Sequence, residues 1–233
     1  MASPPVAKFP IFLTVRMISV FITTLLLTWV LHFRGGLAFV SHNKDLIFNV
    51  HPVLMVIGVI LVNGEAMLAY KSLPGTKDFK KAVHLTLQLV SFILSWIGVW
   101  AAWKYHNDMG IENFYSLHSW MGLACLFLFF IQGVAGFTTF WFPGGSTNSR
   151  LFLLPWHVFF GIFIYGMALA TAAAGILEKS TFLQARKVIS RYSSEAILLN
   201  FMGLMIIMLG AFVILGVLTP SNAKADIVVR SSG

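Results

Sequence analysis

Charge is scarce in this sequence. Only 10% of its 233 residues are Asp, Glu, Lys or Arg, against about a quarter in a soluble domain. Hydrophobic residues make up 58% and mean hydropathy is +0.84. A water-soluble fold of this size has too little interior to hide so much apolar surface. Acidic residues are scarcest, 8 against 16 basic, which leaves a net charge of +8. Nucleic-acid binding does not account for that excess, because the basic residues sit in short loops between apolar runs, where lipid headgroups or an anionic ligand would meet them. A lone cysteine, Cys125, lies inside an apolar run and excludes an intramolecular disulfide or a paired-cysteine attachment motif. The weak ten-residue alternation of an outer-membrane barrel is missing. So are a linker long enough to separate two domains and any low-complexity tract. No cleavage-site pattern follows Met1–Pro10, so no cleaved signal peptide is expected.

What fills the chain is apolar runs of membrane-spanning length. Six spans are expected, at about 11–31, 50–69, 82–103, 117–142, 151–177 and 196–218. Each is close to the roughly twenty residues that cross about 30 Å of hydrocarbon at 1.5 Å per residue. Arg34-Gly35-Gly36, Ser72-Leu73-Pro74-Gly75 and Pro143-Gly144-Gly145 punctuate the connections. Trp100, Trp103, Tyr105, Tyr115, Trp120, Trp141 and Trp156 mark interfacial belts at the span ends. The whole chain reads as one transmembrane domain with a disordered tail over 219–233. With the N-terminus inside, nine lysines and arginines fall on the inner side and seven on the outer. The compact Lys71–Lys81 cluster places that loop and both termini in the cytosol.

Of seven histidines, four hold equivalent places: His51, His84, His118 and His157 each lie within the first turn or two of spans two to five. Successive spans run antiparallel. His51 and His118 therefore belong to the outer layer, His84 and His157 to the cytosolic one. Facing helices of a bundle bring such side chains opposite one another. Two imidazoles across a gap are what a six-coordinate haem requires, so two non-covalent haems stacked along the membrane normal are expected. The fold class is all-α integral membrane, six transmembrane helices with a central four-helix bundle, spans two to five, holding the two haems. Small residues on the histidine faces (Ser91 and Ser95, Gly122, Gly161, Gly58) would leave room for a flat macrocycle. Helix packing is their more ordinary use, and a single terminal histidine is ordinarily interfacial. Four in register are harder to dismiss, because ionisable groups inside spans are costly. With both axial positions filled, iron has no open site, and the role left to it is electron carriage. The mid-span stretches carry no charge, which argues against an ion pathway. A histidine-based zinc, copper or iron transporter is the rival reading; a scaffold with packed, unliganded histidines is a weaker one.

At these residues the chain resembles the cytochrome b561 family, the ascorbate-reducible transmembrane cytochromes, and its plant members most of all. The resemblance rests on the four histidines and on Phe48–Pro52, Asn63–Lys71, Lys80–His84, Asn113–Trp120 and Pro155-Trp156-His157. It implies six helices, two b-type haems and a homodimer in the lipid bilayer. It also implies cytosolic ascorbate as donor, and the monodehydroascorbate radical or ferric chelates as acceptors. A vacuolar, endomembrane or plasma membrane would house it. An ascorbate monoanion needs cations at the mouth of the inner haem. Lys81, one turn before His84, is favoured, then Arg150 and Lys77. On the outer side His106, Asn113 and Tyr115 are candidates for the acceptor, with His106 also able to move a proton. Tyr115 and Lys71 are candidate cofactor contacts, Lys71 toward a haem propionate. His32 and His42 read as structural or solvated.

Overall fold

A computed structural model describes residues 10–219. Lys8, Lys224, Arg230 and the expected C-terminal tail beyond Thr219 lie outside the described residues. Among the described residues six helices are long and apolar enough to cross a membrane: α1 (Ile11–Phe33), α2 (Lys44–Ser72), α3 (Lys77–Met109), α4 (Leu117–Phe140), α5 (Thr147–Ala185) and α6 (Ser194–Leu218). Their starts are written in the sequence. The hydroxyls of Thr76, Ser116, Ser146 and Ser193 accept the backbone N–H three residues on, at 3.2, 3.3, 3.2 and 3.3 Å. Each satisfies a donor that the first turn leaves orphaned. Gly110, left-handed at φ 65°, ends α3.

α3 and α5 outrun the bilayer. At 1.5 Å per residue their 33 and 39 residues give about 50 and 58 Å, against about 30 Å of hydrocarbon. The apolar run alone predicts a third span ending near Trp103, with His106 in a loop. The helix instead continues through His106 to Met109, helped by the Lys104–Asp108 pair at 3.0 Å, one turn apart. Lys81, Arg150 and Lys179 likewise stand on helix rather than in loops.

α2 is the irregular member. Asn49 breaks it, and its side chain donates to the carbonyls of Gly36 at 2.7 Å and Arg34 at 3.3 Å. That ties the break to the α1–α2 connection. Pro52 falls in the turn after the break, where a missing N–H is tolerated. Beyond it, Met55–Val62 is π-helical, a departure that is frequent at functional sites.

α1, α2, α5 and α6 share one core, in which Ile22, Leu26, Trp29, Ile60, Tyr165, Leu199, Ile206 and Leu209 are fully buried. Lipid offers no hydrophobic drive between helices, so close packing and interhelical hydrogen bonds hold them. Gly64 leaves the space into which the Tyr165 hydroxyl reaches, where it donates to the Ile60 carbonyl at 3.1 Å. Gly58, expected to make room for a macrocycle, does not: a Cβ there would sit 2.9 Å from that of Leu94, so Gly58 serves the α2–α3 contact.

Between α1 and α6 the Glu195 carboxylate, 3% exposed, accepts from the Trp29 indole at 2.9 Å and pairs with Arg34. Removing one member of a buried pair strands the other and costs about 3–5 kcal/mol. Glu195→Ala is expected to lower the thermal unfolding midpoint in detergent markedly. Arg16→Ala, which breaks the open Arg16–Glu65 contact at 3.7 Å, is expected to move it little. Equal midpoints for the two variants would count against the Glu195 pair as a structural tie.

Candidate haem-binding site

The four histidines meet in pairs. The rings of His51 (α2) and His118 (α4) have their centres 6.0 Å apart, and those of His84 (α3) and His157 (α5) 6.3 Å apart. Three of the rings are aimed by a backbone carbonyl of a neighbouring helix. His51 Nδ1 donates to Gly98 at 2.9 Å, His84 Nδ1 to Ala66 at 2.8 Å, and His118 Nδ1 to Thr171 at 2.9 Å. A carbonyl only accepts, so Nδ1 carries a proton, and in the neutral ring the Nε2 lone pair is left for a metal. Among the described residues His157 Nδ1 is buried without a partner, while the carbonyl of the same residue accepts from Gln132 Nε2 at 2.5 Å.

The pairs stand at opposite ends of the bundle. Ala66, which holds His84, lies about 22 Å along α2 from His51 at 1.5 Å per residue.

This arrangement fits a bis-histidine haem. Two imidazoles bonded through Nε2 to one metal at about 2 Å each have ring centres about 6 Å apart, which both pairs match. Glycines on the facing helices give the rings their space. A Cβ at Gly175 would lie 2.6 Å from His118 Cε1, and one at Gly136 would lie 2.7 Å from His157 Cε1. At the His51/His118 end a cavity of about 540 Å³ is lined by both histidines, Gly122, Gly175 and Cys125. That is within the span of small-molecule and cofactor pockets, about 300–1,000 Å³. Among the described residues no three His, Cys, Asp or Glu side chains gather as a metal cluster, whereas a closed zinc site needs four ligands.

The other sequence-selected residues divide between the two ends. His106, Asn113 and Tyr115 line the His51/His118 cavity. Asn113 donates to Asn107 at 2.8 Å, and Tyr115 to Glu178 at 3.4 Å. Burial first, and then the Glu178 carboxylate, hold the Tyr115 phenol above the ordinary tyrosine range. Lys81 opens α3 below His84, 3.3 Å from Asp78, with its ammonium 5.1 Å from the centre of the Trp141 ring. Arg150 packs its guanidinium against Gly144. Lys77 is exposed on the first turn of α3. Lys71 donates to the carbonyls of Val217 and Thr219 at the end of α6, a helix-terminal use of its charge. Arg34, Glu178, Lys179 and Arg186 also line the cavity and were not singled out from the sequence. Lys179 follows Gly175 by one turn, and an ionisable residue closing an apolar run was the available signal.

Apolar helices of spanning length, with two opposed imidazole couples contributed by α2 to α5, define a multi-pass membrane protein of the cytochrome kind. The family described as Eukaryotic cytochrome b561 matches residues 50–183. The chain is 65% identical over 230 residues to "Transmembrane ascorbate ferrireductase 2" of Arabidopsis thaliana, covering 99% of this chain and 100% of that one. It is 48% identical over 198 residues to "Transmembrane ascorbate ferrireductase 1" of the same plant, covering 85% and 82%. It is 46% identical over 208 residues to "Probable ascorbate-specific transmembrane electron transporter 1" of Oryza sativa subsp. japonica, covering 89% and 88%. The chain belongs to the eukaryotic cytochrome b561 family, whose cofactor is a b-type haem.

Proposed function

We propose that this chain carries single electrons across a bilayer, from cytosolic ascorbate to monodehydroascorbate or ferric chelates on the opposite face. In this reading it works as a homodimer with cytosolic termini, in an endomembrane such as the vacuolar one or in the plasma membrane. His84 and His157 hold one b-type haem near the cytosol, and His51 and His118 a second near the opposite face. The observation that carries the reading is the pair of ring separations, 6.0 and 6.3 Å, at opposite ends of one bundle. When bound, the two haems supply reversible one-electron chemistry with no open coordination position. The relatives named for ascorbate-dependent reduction support the donor.

The chain's own residues do the rest. Carbonyls of Gly98, Ala66 and Thr171 fix three imidazoles as neutral ligands. Apolar side chains between the pairs, Phe92, Leu126 and Phe129 among them, exclude water and ions from the bundle centre. Lys77, Lys81 and Arg150 present positive charge to an ascorbate monoanion at the His84/His157 end. Lys81 stands nearest His84 in sequence, one turn away. At the other end His106, Asn113 and Tyr115 receive the acceptor.

Lys81→Ala is expected to slow reduction by ascorbate about tenfold and leave reduction by dithionite close to wild type, since only the anion's docking is lost. Stopped-flow absorbance reads both rates, and equal slowing by the two donors would overturn the assignment. The whole reading is tested by the spectrum of the purified protein before and after ascorbate. Sharp low-spin bands at two haems per chain are expected, and a colourless protein with bound zinc would favour the transporter.

A further inference from the structure

The cavity beside His51 and His118 is lined by a cation, Lys179, that among the described residues has no carboxylate in contact. Lys179 lies on α5 one turn beyond Gly175, so the two share a helix face. Its ammonium sits 4.2 Å from the centre of the Phe48 ring, and that ring stands 6.1 Å from the His51 ring. Among the described residues no carboxylate comes within 4.0 Å of it. At longer range it feels the carboxylates of Asp45 and Glu195 and the guanidiniums of Arg34 and Arg186. These are two of each sign.

The neighbouring carboxylates are otherwise engaged. Asp45 accepts from the Tyr105 hydroxyl at 3.3 Å. Glu178 accepts from Tyr115 at 3.4 Å and Ser116 at 3.1 Å. Glu195 is taken by Arg34 and Trp29. A ring face offsets only part of an ammonium's desolvation and leaves its three donors open to a further partner.

We infer that Lys179 is the carboxylate-binding residue of this cavity, its ammonium receiving a carboxylate oxygen of the molecule that occupies it. Two sources carry that group: a propionate of a haem held by His51 and His118, or an anionic acceptor such as ferric citrate. A compact point charge with three donors serves either. The inference rests on the electron-transfer reading for both occupants.

Lys179→Met and Lys179→Gln, with Lys179→Arg as the conservative variant, decide it. The neutral variants remove an unpaired charge and are expected to fold at least as well as wild type. Haem content and the potentials of both transitions are read by spectroelectrochemical titration, and ferric citrate binding by calorimetry. If the partner is a propionate, one transition falls in potential by about 59 mV for each tenfold change in equilibrium. The other transition stays in place, and ferric citrate binds as before. If the partner is the acceptor, haem content holds, Kd and KM for ferric citrate rise about tenfold, and an uncharged ferric chelate is unaffected. Lys179→Arg restores either behaviour. Potentials, haem content and ferric citrate binding all unchanged in Lys179→Met would overturn the inference. Fewer than two haems in the wild-type protein is a different failure, that of the two-haem reading. Ferric citrate binding to wild type and Lys179→Met then still decides Lys179.

Discussion

Exchanging His84 and His157 together for alanine is expected to halve the haem content of the purified protein. The spectrum of the haem at the other end should remain intact. Each ring is held from its own side: His84 by the Ala66 carbonyl, His51 by Gly98, His118 by Thr171. The two pairs share no ligand and lie about 22 Å apart along α2. Exchanging His51 and His118 is expected to remove the other half. Haem per chain, measured as the pyridine haemochrome against protein concentration, reads both results. A full haem complement in either double variant would show that the paired imidazoles are not the ligands.

A single added methyl group at Gly175 or Gly136 is expected to do nearly as much damage at one end only. A Cβ at Gly175 would lie 2.6 Å from His118 Cε1 and 3.0 Å from Nδ1. One at Gly136 would lie 2.7 Å from His157 Cε1. Carbon atoms do not approach so closely, so the ring must turn and its Nε2 leave its line. Overpacking of this kind costs about 1–3 kcal/mol, enough to weaken haem retention about 5- to 150-fold at 1.4 kcal/mol per tenfold. Gly175→Ala is expected to lose the His51/His118 haem and Gly136→Ala the other. The matched controls are Gly133→Ala and Gly166→Ala, where nothing lies within 4 Å of the added carbon. Those two are expected to keep both haems. Loss of haem in the controls as well would trace the effect to helix stiffness rather than to the rings.

The six helices were legible because hydrocarbon demands runs of apolar residues that nothing else in the chain imitates. The pairing of His51 with His118 and of His84 with His157 was legible for a related reason. Strict antiparallel alternation leaves each histidine one partner layer, and the ring separations agree with that pairing. What lies across an interface was not legible. Gly136 and Gly175 face rings on a neighbouring helix, so no periodicity within α4 or α5 singles them out from Gly122 or Gly161. The Arg34–Glu195 pair joins residues 161 positions apart and depends on how α1 rotates against α6. The apolar run ends near Trp103, but the α3 helix continues to Met109, because leaving the hydrocarbon does not break backbone hydrogen bonds. That extension places His106 on a helical turn at the cavity wall. The Lys71 ammonium was expected near a haem propionate. In the structure it lies at the end of α6, donating to the Val217 and Thr219 carbonyls.

The measurement that most directly probes transmembrane electron flow uses sealed proteoliposomes with ascorbate trapped inside and ferric citrate outside. Ferrous iron is expected to appear outside only when both the protein and the internal ascorbate are present, and to fail when all four histidines are replaced. Ferrous iron produced equally well by the quadruple variant, or none from a wild-type protein whose haem the trapped ascorbate has reduced, would contradict the account.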